Sequence, residues 1–113
     1  EQGVPAEIEL DEHDEACVHA LVRGPGGEAI GTGRLLPDGH IGRMAVAPSW
    51  RNRGIGGSIL QALMAEARRR GDREVVLSAQ VRATAFYLRH GFVPEGGVYE
   101  EAGIPHLRMR RRF

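Results

Sequence analysis

A glycine-rich stretch with two arginines, residues 48–58 (PSWRNRGIGGS), carries residue types that bind phosphate groups. Its three glycines lie at the start of a segment with helical spacing of apolar residues, and a helix leaves the N–H groups of its first turn without internal partners. Because glycine has no side chain, an anion can approach those N–H groups and the positive end of the helix dipole. Arg51, Arg53 and Ser58 can add further hydrogen bonds. The stretch therefore predicts a phosphate or diphosphate site.

Two better-known phosphate-binding motifs do not fit this stretch. The dinucleotide fingerprint G-x-G-x-x-G would need a glycine at position 59, where the chain has Ile59. A P-loop needs a lysine after its last glycine, and the chain contains no lysine. From the residues alone, a glycine-rich connection that binds no ligand remains an open alternative.

The apolar pattern after the glycines predicts the helix that would position this site. The residues that recur at a spacing of three to four are Ile55, Ile59, Leu60, Leu63, Met64 and Ala67. This spacing is typical of one buried helical face. We expect the helix to end at Gly71, since glycine is favoured just past the end of a helix.

Three antiparallel strands are expected before this helix. Alternating apolar residues separated by turn sequences predict them at residues 16–23, 28–36 and 40–47. Residues 1–15 contain seven acidic residues and no arginine, and we expect them to form an exposed lead-in.

A further strand and helix are expected after the first helix. The sequence predicts a strand at 74–79, a shorter helix at 82–90 and two strands within 92–113. Strands that alternate with helices in this order indicate a mixed α/β fold. The length is that of one domain, so residues 1–113 are predicted to form a single unit.

Two blocks of sequence, in the expected order, resemble the GNAT family of N-acetyltransferases. The first is R-x-x-G-x-G at residues 51–56, which follows the predicted strand at 41–46 and is similar to the family's coenzyme A motif. The second is Q-x-x-A-x-x-F-Y-x-x-x-G-F at residues 80–92, which resembles the later segment where an amide residue precedes a helix with a tyrosine. The acidic opening and the segments 34–46 and 103–106 look like the small bacterial ElaA-like branch.

The resemblance implies a central mixed sheet, mostly antiparallel, with two splayed parallel strands and flanking helices. Residues 40–47 and 74–79 would be the splayed strands, and the thioester of acetyl-CoA would lie between them. Acetyl-CoA is thus the implied co-substrate, and no metal is implied. The residues implied to bind coenzyme A are Met44, Ala45, Val46, Arg51, Asn52, Arg53, Gly54, Ile55, Gly56, Gly57, Ser58 and Gln80.

The resemblance also assigns Tyr87 as the general acid that gives a proton to the departing thiolate. A thiol has a reference pKa of about 8.5 and a phenol of about 10, so a positioned phenol can hydrogen-bond a developing thiolate and share its proton. From the residues alone, Tyr87 could instead belong to the helix core with Phe86 and Leu88. For the base that deprotonates the amine, the sequence leaves four candidates open. They are His40, Glu100, Glu101 and His106.

One departure from the family pattern concerns the beginning of the chain. Family members normally start with a strand and one or two helices, which help to form the acceptor pocket. This chain starts after them, so we expect a domain without the usual first strand and helices. Strand edges exposed in this way favour pairing between chains, and a homodimer is therefore expected.

The function expected from the resemblance is direct transfer of an acetyl group from acetyl-CoA to a primary amine of a small molecule. A non-catalytic acyl-CoA-binding or sensing module, an interaction domain that has lost its ligand, and a site for a nucleotide remain alternatives. The formal net charge is +0, which gives no general indication of a nucleic-acid or membrane partner. A single cysteine is typical of a reducing compartment, and we expect a cytoplasmic protein.

Overall fold

The computed structural model describes residues 8–13 and 17–113. The strands are β1 (Ile8–His13), β2 (Cys17–Arg23), β3 (Ala29–Leu35), β4 (Ile41–Val46), β5 (Glu74–Gln80), β6 (Val93–Glu101) and β7 (Ile104–Arg112). The helices are α1 (Ile55–Arg69) and α2 (Thr84–Arg89), and short 3-10 turns cover Pro48–Trp50 and Val81–Ala83. Neither of these described helices is long and apolar enough to cross a membrane.

Two antiparallel sheets are linked at a parallel bridge. One sheet has the order β1-β2-β3-β4 and the other the order β5-β7-β6. The parallel strands β4 and β5 meet next to their starts, at a bridge between His40 and Val76, where the Val76 N–H donates to the Gly39 carbonyl at 3.1 Å. Beyond this bridge they belong to separate sheets, so the predicted pair of splayed parallel strands is confirmed. The mixed, mostly antiparallel fold with flanking helices is confirmed as well.

Helix α1 packs its apolar face against β2, β3 and β4. Its buried residues are the ones predicted from the spacing, namely Ile55, Ile59, Leu60, Leu63, Met64 and Ala67. The approach to β3 is close, since a Cβ added at Gly33 would lie 2.7 Å from Cγ2 of Ile59. Gly71 adopts a φ of 98°, which confirms the predicted end of the helix. This packing fixes the N-terminal end of α1 beside the end of β4.

The prediction that residues 1–15 form an exposed lead-in is only partly correct, because residues 9–12 are exposed but Ile8–His13 are a strand. These residues form β1, which pairs antiparallel with β2 from Ile8 opposite Val22 onward. The strand signal is the alternation of Ile8 and Leu10 with acidic residues, which the high acidic content concealed. Ile8 packs against the core and Glu9 forms an ion pair with Arg23 at 3.3 Å. The rest of the predicted lead-in, residues 1–7 and 14–15, lies outside the described residues.

The second helix is shorter than the prediction of residues 82–90. Helix α2 covers Thr84–Arg89 and is preceded by the 3-10 turn Val81–Ala83. The hydroxyl of Thr84 donates to the Val81 carbonyl at 2.9 Å, which stabilises this turn instead of a longer helix. Gly91, with a φ of 88°, follows the helix as predicted.

Candidate active site

A bulge in β4 shapes the gap between the two sheets. Ala45 pairs with Thr32 and Gly42 with Arg34, so Arg43 and Met44 together lie opposite a single residue of β3. Arg43 has a φ of 54°, and its carbonyl accepts a hydrogen bond from the Thr32 hydroxyl at 3.3 Å. A bulge bends its strand and increases the local twist. Here it turns β4 away from β5 just after the bridge that joins them.

The gap forms an open cavity of about 970 Å³. Its walls come from β4, the loop after it, the first turn of α1, the end of β5, helix α2 and one residue of β7. The predicted site residues that line it are Met44, Ala45, Val46, Arg51, Asn52, Gly54, Ile55, Gly56, Gly57, Gln80 and Tyr87. Of the predicted set, Arg53 and Ser58 are not among the residues that line the cavity.

The first turn of α1 presents main-chain groups to this cavity. Gly54 precedes the helix with a φ of 80° and caps it without a side-chain hydrogen bond. The Ser58 N–H donates to the Gly54 carbonyl at 3.0 Å, so the N–H groups of the three residues between them have no partner within the helix. A Cβ added at Gly56 would still be 3.7 Å from the nearest atom, a ring carbon of Phe86. The space in front of this turn can therefore accept an anion.

The two arginines of the glycine-rich stretch occupy different places. Arg51 lines the cavity, and its Nε donates to the carbonyl of Val46 at 3.0 Å, which ties the loop to the end of β4. Arg53 instead lies over the ring of Trp50, with 4.8 Å between its guanidinium carbon and the ring centre. Arg53 is thus held against Trp50 and is not among the residues that line the cavity.

Tyr87 both packs against the core and lines the cavity. Its ring lies edge-on to Phe86 at 5.0 Å and to Phe92 at 5.8 Å between ring centres. Burial raises the pKa of Tyr87, because the phenolate would lose hydration. The phenol therefore stays protonated at neutral pH and can act as a proton donor. The packing interpretation of Tyr87 is thus confirmed, and its role as general acid stays a prediction.

The far wall of the cavity carries Gln80 and a residue that the sequence did not single out, His106. Gln80 ends β5 directly opposite His106 of β7, and the Gln80 side-chain oxygen accepts from Arg82 Nε at 2.9 Å. Of the four open base candidates, His106 is the one that lines the cavity. The signal that could have identified it is the pairing of β5 with β7, which depends on a register that sequence spacing does not determine.

The charge on the cavity wall is positive. Among the described residues that line it are four arginines, and none of those residues is aspartate or glutamate. The arginines are Arg43, Arg51, Arg82 and Arg89. A wall of this kind favours an anionic ligand such as a diphosphate. Within the described ranges, no three histidine, cysteine, aspartate or glutamate residues form a group that could hold a metal ion.

The chain is similar to known acetyltransferases in sequence. The profile of the acetyltransferase (GNAT) domain matches residues 5–113. The uncharacterized N-acetyltransferase YjcF of Bacillus subtilis is 39% identical over an alignment of 115 positions that covers 98% of this chain and 81% of YjcF.

Solved structures are similar over most of the chain. An acyl-CoA N-acyltransferase from Pseudomonas aeruginosa superposes with a TM-score of 0.77 at 33% identity, covering 87% of this chain and 70% of that one. ElaA of Escherichia coli superposes with a TM-score of 0.77 at 30% identity, covering 88% of this chain and 70% of ElaA. The match of the family profile to nearly the whole chain, together with these relatives, shows that the chain belongs to the GNAT family of acetyltransferases and is of the small ElaA-like kind.

Proposed function

We propose that this protein transfers an acetyl group from acetyl-CoA directly to a primary amine of a small molecule. The observation that carries the proposal is that one cavity reaches from the first turn of α1, along β4, to Tyr87 of α2. The end of the cavity at the first turn of α1 suits a diphosphate. The end at Tyr87 holds a proton donor for a leaving thiolate. Transfer from an acyl thioester of coenzyme A needs both a diphosphate site and a proton donor. Membership of an acetyltransferase family favours acetyl as the transferred group.

The donor half would bind coenzyme A mainly through main-chain groups. The N–H groups of the first turn of α1 would hold the diphosphate, and Arg51 would add a charge-assisted hydrogen bond. β4 is the last strand of its sheet, so its outer main-chain groups are available to the pantetheine arm beyond the bridge to β5. Met44, Ala45 and Val46 would make these contacts. N–H groups near residues 45–46 would polarise the thioester carbonyl.

The chemical step would use Tyr87 as the general acid. The amine attacks the carbonyl carbon of the thioester, and the C–S bond breaks as the C–N bond of the amide forms. The departing sulfur needs a proton, which the phenol of Tyr87 can give because burial keeps it protonated. Gln80 would lie beside the coenzyme A arm, since it ends β5 in the opposite wall.

The acceptor is proposed to be a small cationic amine. Ser78 lines the cavity, and its hydroxyl bonds with the Tyr99 hydroxyl and donates to the Glu101 carboxylate at 3.3 Å. This carboxylate would attract an ammonium group to the β5 side of the cavity before the amine loses its proton. A small molecule is favoured because the same open cavity must hold both the acceptor and the arm of coenzyme A.

We further propose that the protein is cytoplasmic, forms a homodimer and binds neither nucleic acid nor membrane. The single cysteine and the balanced charge support the location and the absence of polyanionic partners. β1 is the outermost strand of its sheet among the described residues, and it exposes 44% of Leu10, so a second copy could pair with it. Light scattering on the purified protein would give the mass of the assembly.

The proposal is tested by incubating the purified protein with acetyl-CoA and a panel of polyamines, amino sugars and amino acids. We expect release of the free thiol of coenzyme A and a mass increase of one acetyl group on at least one amine. Calorimetry with coenzyme A is run in parallel. Tight binding with no product from any amine would instead select a non-catalytic acyl-CoA-binding module. No binding and no gain in melting temperature would select an interaction domain, because a ligand bound only by the folded state raises stability.

A further inference from the structure

From the cavity wall we infer that His106 is the base that takes the proton from the acceptor amine, acting through Nε2. This step deepens the proposed function and rests on it. His106 has only 9% of its surface exposed, yet it lines the cavity that also contains Tyr87. A buried histidine at the wall of a binding cavity is a candidate for proton transfer when its hydrogen bonds fix one tautomer.

The hydrogen bonding of the ring fixes the tautomer of His106. Its Nδ1 lies 2.8 Å from the carbonyl oxygen of Ile104. A carbonyl oxygen can only accept, so Nδ1 carries a proton and donates it. In the neutral ring Nε2 then has the free lone pair. The ring of Tyr99 stacks on His106 with 6.1 Å between ring centres, which helps to hold the imidazole in this orientation.

The chemistry of the other titratable residues in the wall supports this role by elimination. Among the described residues that line the cavity, the titratable ones besides His106 are arginines and Tyr87. Arginine stays protonated at any physiological pH and cannot accept a proton. The pKa of Tyr87 is raised by burial, so Tyr87 is a donor at neutral pH. Among the described wall residues, His106 is therefore the titratable group with a ring nitrogen lone pair that can take a proton.

Residues of three elements, β5, β6 and α2, lie around His106. On β5 it faces Gln80, which is uncharged, and Ser78 lies two residues away on the same strand. On β6 it faces Tyr99, and the nearby Glu101 carboxylate accepts the Ser78 hydroxyl. Tyr87 lies in the wall contributed by α2.

His106 and Tyr87 divide the proton transfers of the reaction between them. The acceptor arrives as R–NH₃⁺ and gives one proton to Nε2, which leaves the lone pair on nitrogen free to attack the thioester carbon. The C–N bond forms, the C–S bond breaks with its electron pair on sulfur, and Tyr87 gives its proton to that sulfur. The second proton lost from nitrogen restores the Tyr87 phenol. His106 then releases its proton to water, so the sum is amide, thiol and one proton.

His106→Asn is the variant that tests this role, because the asparagine amide can still donate to Ile104 while Nε2 is removed. With the best amine of the panel, we expect kcat/KM at pH 7 to fall about 10² to 10⁴-fold. The affinity for coenzyme A should change less than twofold. The remaining rate should rise about tenfold per pH unit up to the pKa of the amine, since the variant can use only amine that is already neutral. A weakly basic acceptor such as hydrazine, about half of which is neutral at pH 8, should lose much less rate.

Two controls separate this inference from a structural effect and from the proposed function. His19→Asn makes the same change at a histidine of β2 that is not among the residues lining this cavity, and it should keep the wild-type rate. Nitrogen NMR should show the neutral His106 ring protonated at Nδ1. Wild-type turnover with an unchanged rate and pH profile in His106→Asn would overturn the base role alone, and so would a ring protonated at Nε2. Absence of turnover by the wild type on every amine would overturn the proposed function, and this step with it.

Discussion

The two walls of the cavity are built on different principles. The wall from β4 and the start of α1 offers mainly main-chain groups, positioned by a bulge at Arg43 and by a left-handed glycine at Gly54. The wall from β5, α2 and β7 offers side chains, chiefly those of Gln80, Tyr87 and His106. The first wall depends on backbone conformation and on open space, whereas the second depends on particular functional groups.

This contrast determines which substitutions each wall tolerates. Apart from Arg51, side chains on the β4 and α1 wall can change with little effect as long as no atom fills the space in front of the N–H groups. On the opposite wall, loss of a single hydroxyl or ring nitrogen removes a chemical step without changing the shape of the cavity. Ligand affinity and turnover should therefore be separable by mutation.

The largest effect is expected from Gly56→Asp, which places a carboxylate in front of the first turn of α1. A negative charge about 4 Å from a phosphate costs about 4 kcal/mol at an effective dielectric constant of 20, so coenzyme A affinity should fall on the order of 10³-fold. The same carboxylate favours the positive end of the helix, so the melting temperature should stay constant or rise slightly. Calorimetry and thermal unfolding measure the two quantities.

The matched control for this change is Gln61→Glu, which adds one negative charge to the exposed side of the same helix. Its coenzyme A affinity should remain within a few-fold of the wild type, because that face points away from the cavity. If Gly56→Asp keeps wild-type affinity, the diphosphate does not bind at this turn.

Tyr87→Phe should have the second largest effect, and it should appear in turnover. Removal of the phenol leaves the edge-on packing against Phe86 and Phe92 possible but removes the proton for the leaving sulfur. We expect kcat to fall about 10²-fold with coenzyme A affinity nearly unchanged, as measured by thiol release and calorimetry. Equal losses of turnover and affinity would assign Tyr87 to packing or binding.

A smaller effect should separate the two arginines of the glycine-rich stretch. Arg51→Gln removes a guanidinium from the cavity wall and its bond to Val46, and a hydrogen bond to a charged group contributes about 1.5 kcal/mol or more. Coenzyme A affinity should therefore fall about tenfold. Arg53→Gln should change it by less than about threefold, because Arg53 stacks on Trp50 outside the wall. If calorimetry shows a larger loss of coenzyme A affinity for Arg53→Gln than for Arg51→Gln, the placement of the two arginines is contradicted.

The smallest effect concerns stability in alkaline solution. Burial raises the pKa of Tyr87 above its usual value of 10.0, so the folded chain holds this proton more tightly than the unfolded chain. The resulting stability is fully present below about pH 10 and is lost as the pH rises through the raised pKa. The melting temperature of the wild type should therefore fall further above pH 10 than that of Tyr87→Phe. Tyr99→Phe, at a side chain that is 39% exposed, is the matched control and should follow the wild type.

Much of the α1 wall could be predicted from sequence because its signals are local. The three-to-four spacing gave the buried face of α1, and Gly71 gave its end. The glycines before Ser58 indicated an open first turn, since their effect depends only on the absence of a side chain. Arg51 and Arg53 looked equivalent in sequence, and only the packing of Trp50 distinguishes them.

The opposite wall was harder to predict because its residues meet through long-range pairing. His106 reaches the cavity only because β7 pairs with β5 in a register that places it against Gln80. The bulge at Arg43 leaves no sequence pattern of its own, as it arises from the register of β4 against β3. β1 was missed for a different reason. Its apolar residues Ile8 and Leu10 recur every second position, but the acidic residues between and after them concealed this alternation.

The most direct test of the account is a titration of the isotope-labelled protein followed by amide NMR, with coenzyme A in one series and pantetheine in the other. Coenzyme A should produce its largest amide shifts at Ile55, Gly56 and Gly57. Pantetheine lacks the diphosphate, so it should shift residues of β4 while leaving those three amides unchanged. Equal shifts at the first turn of α1 with both ligands, or none with coenzyme A, would contradict the claim that this turn binds the diphosphate.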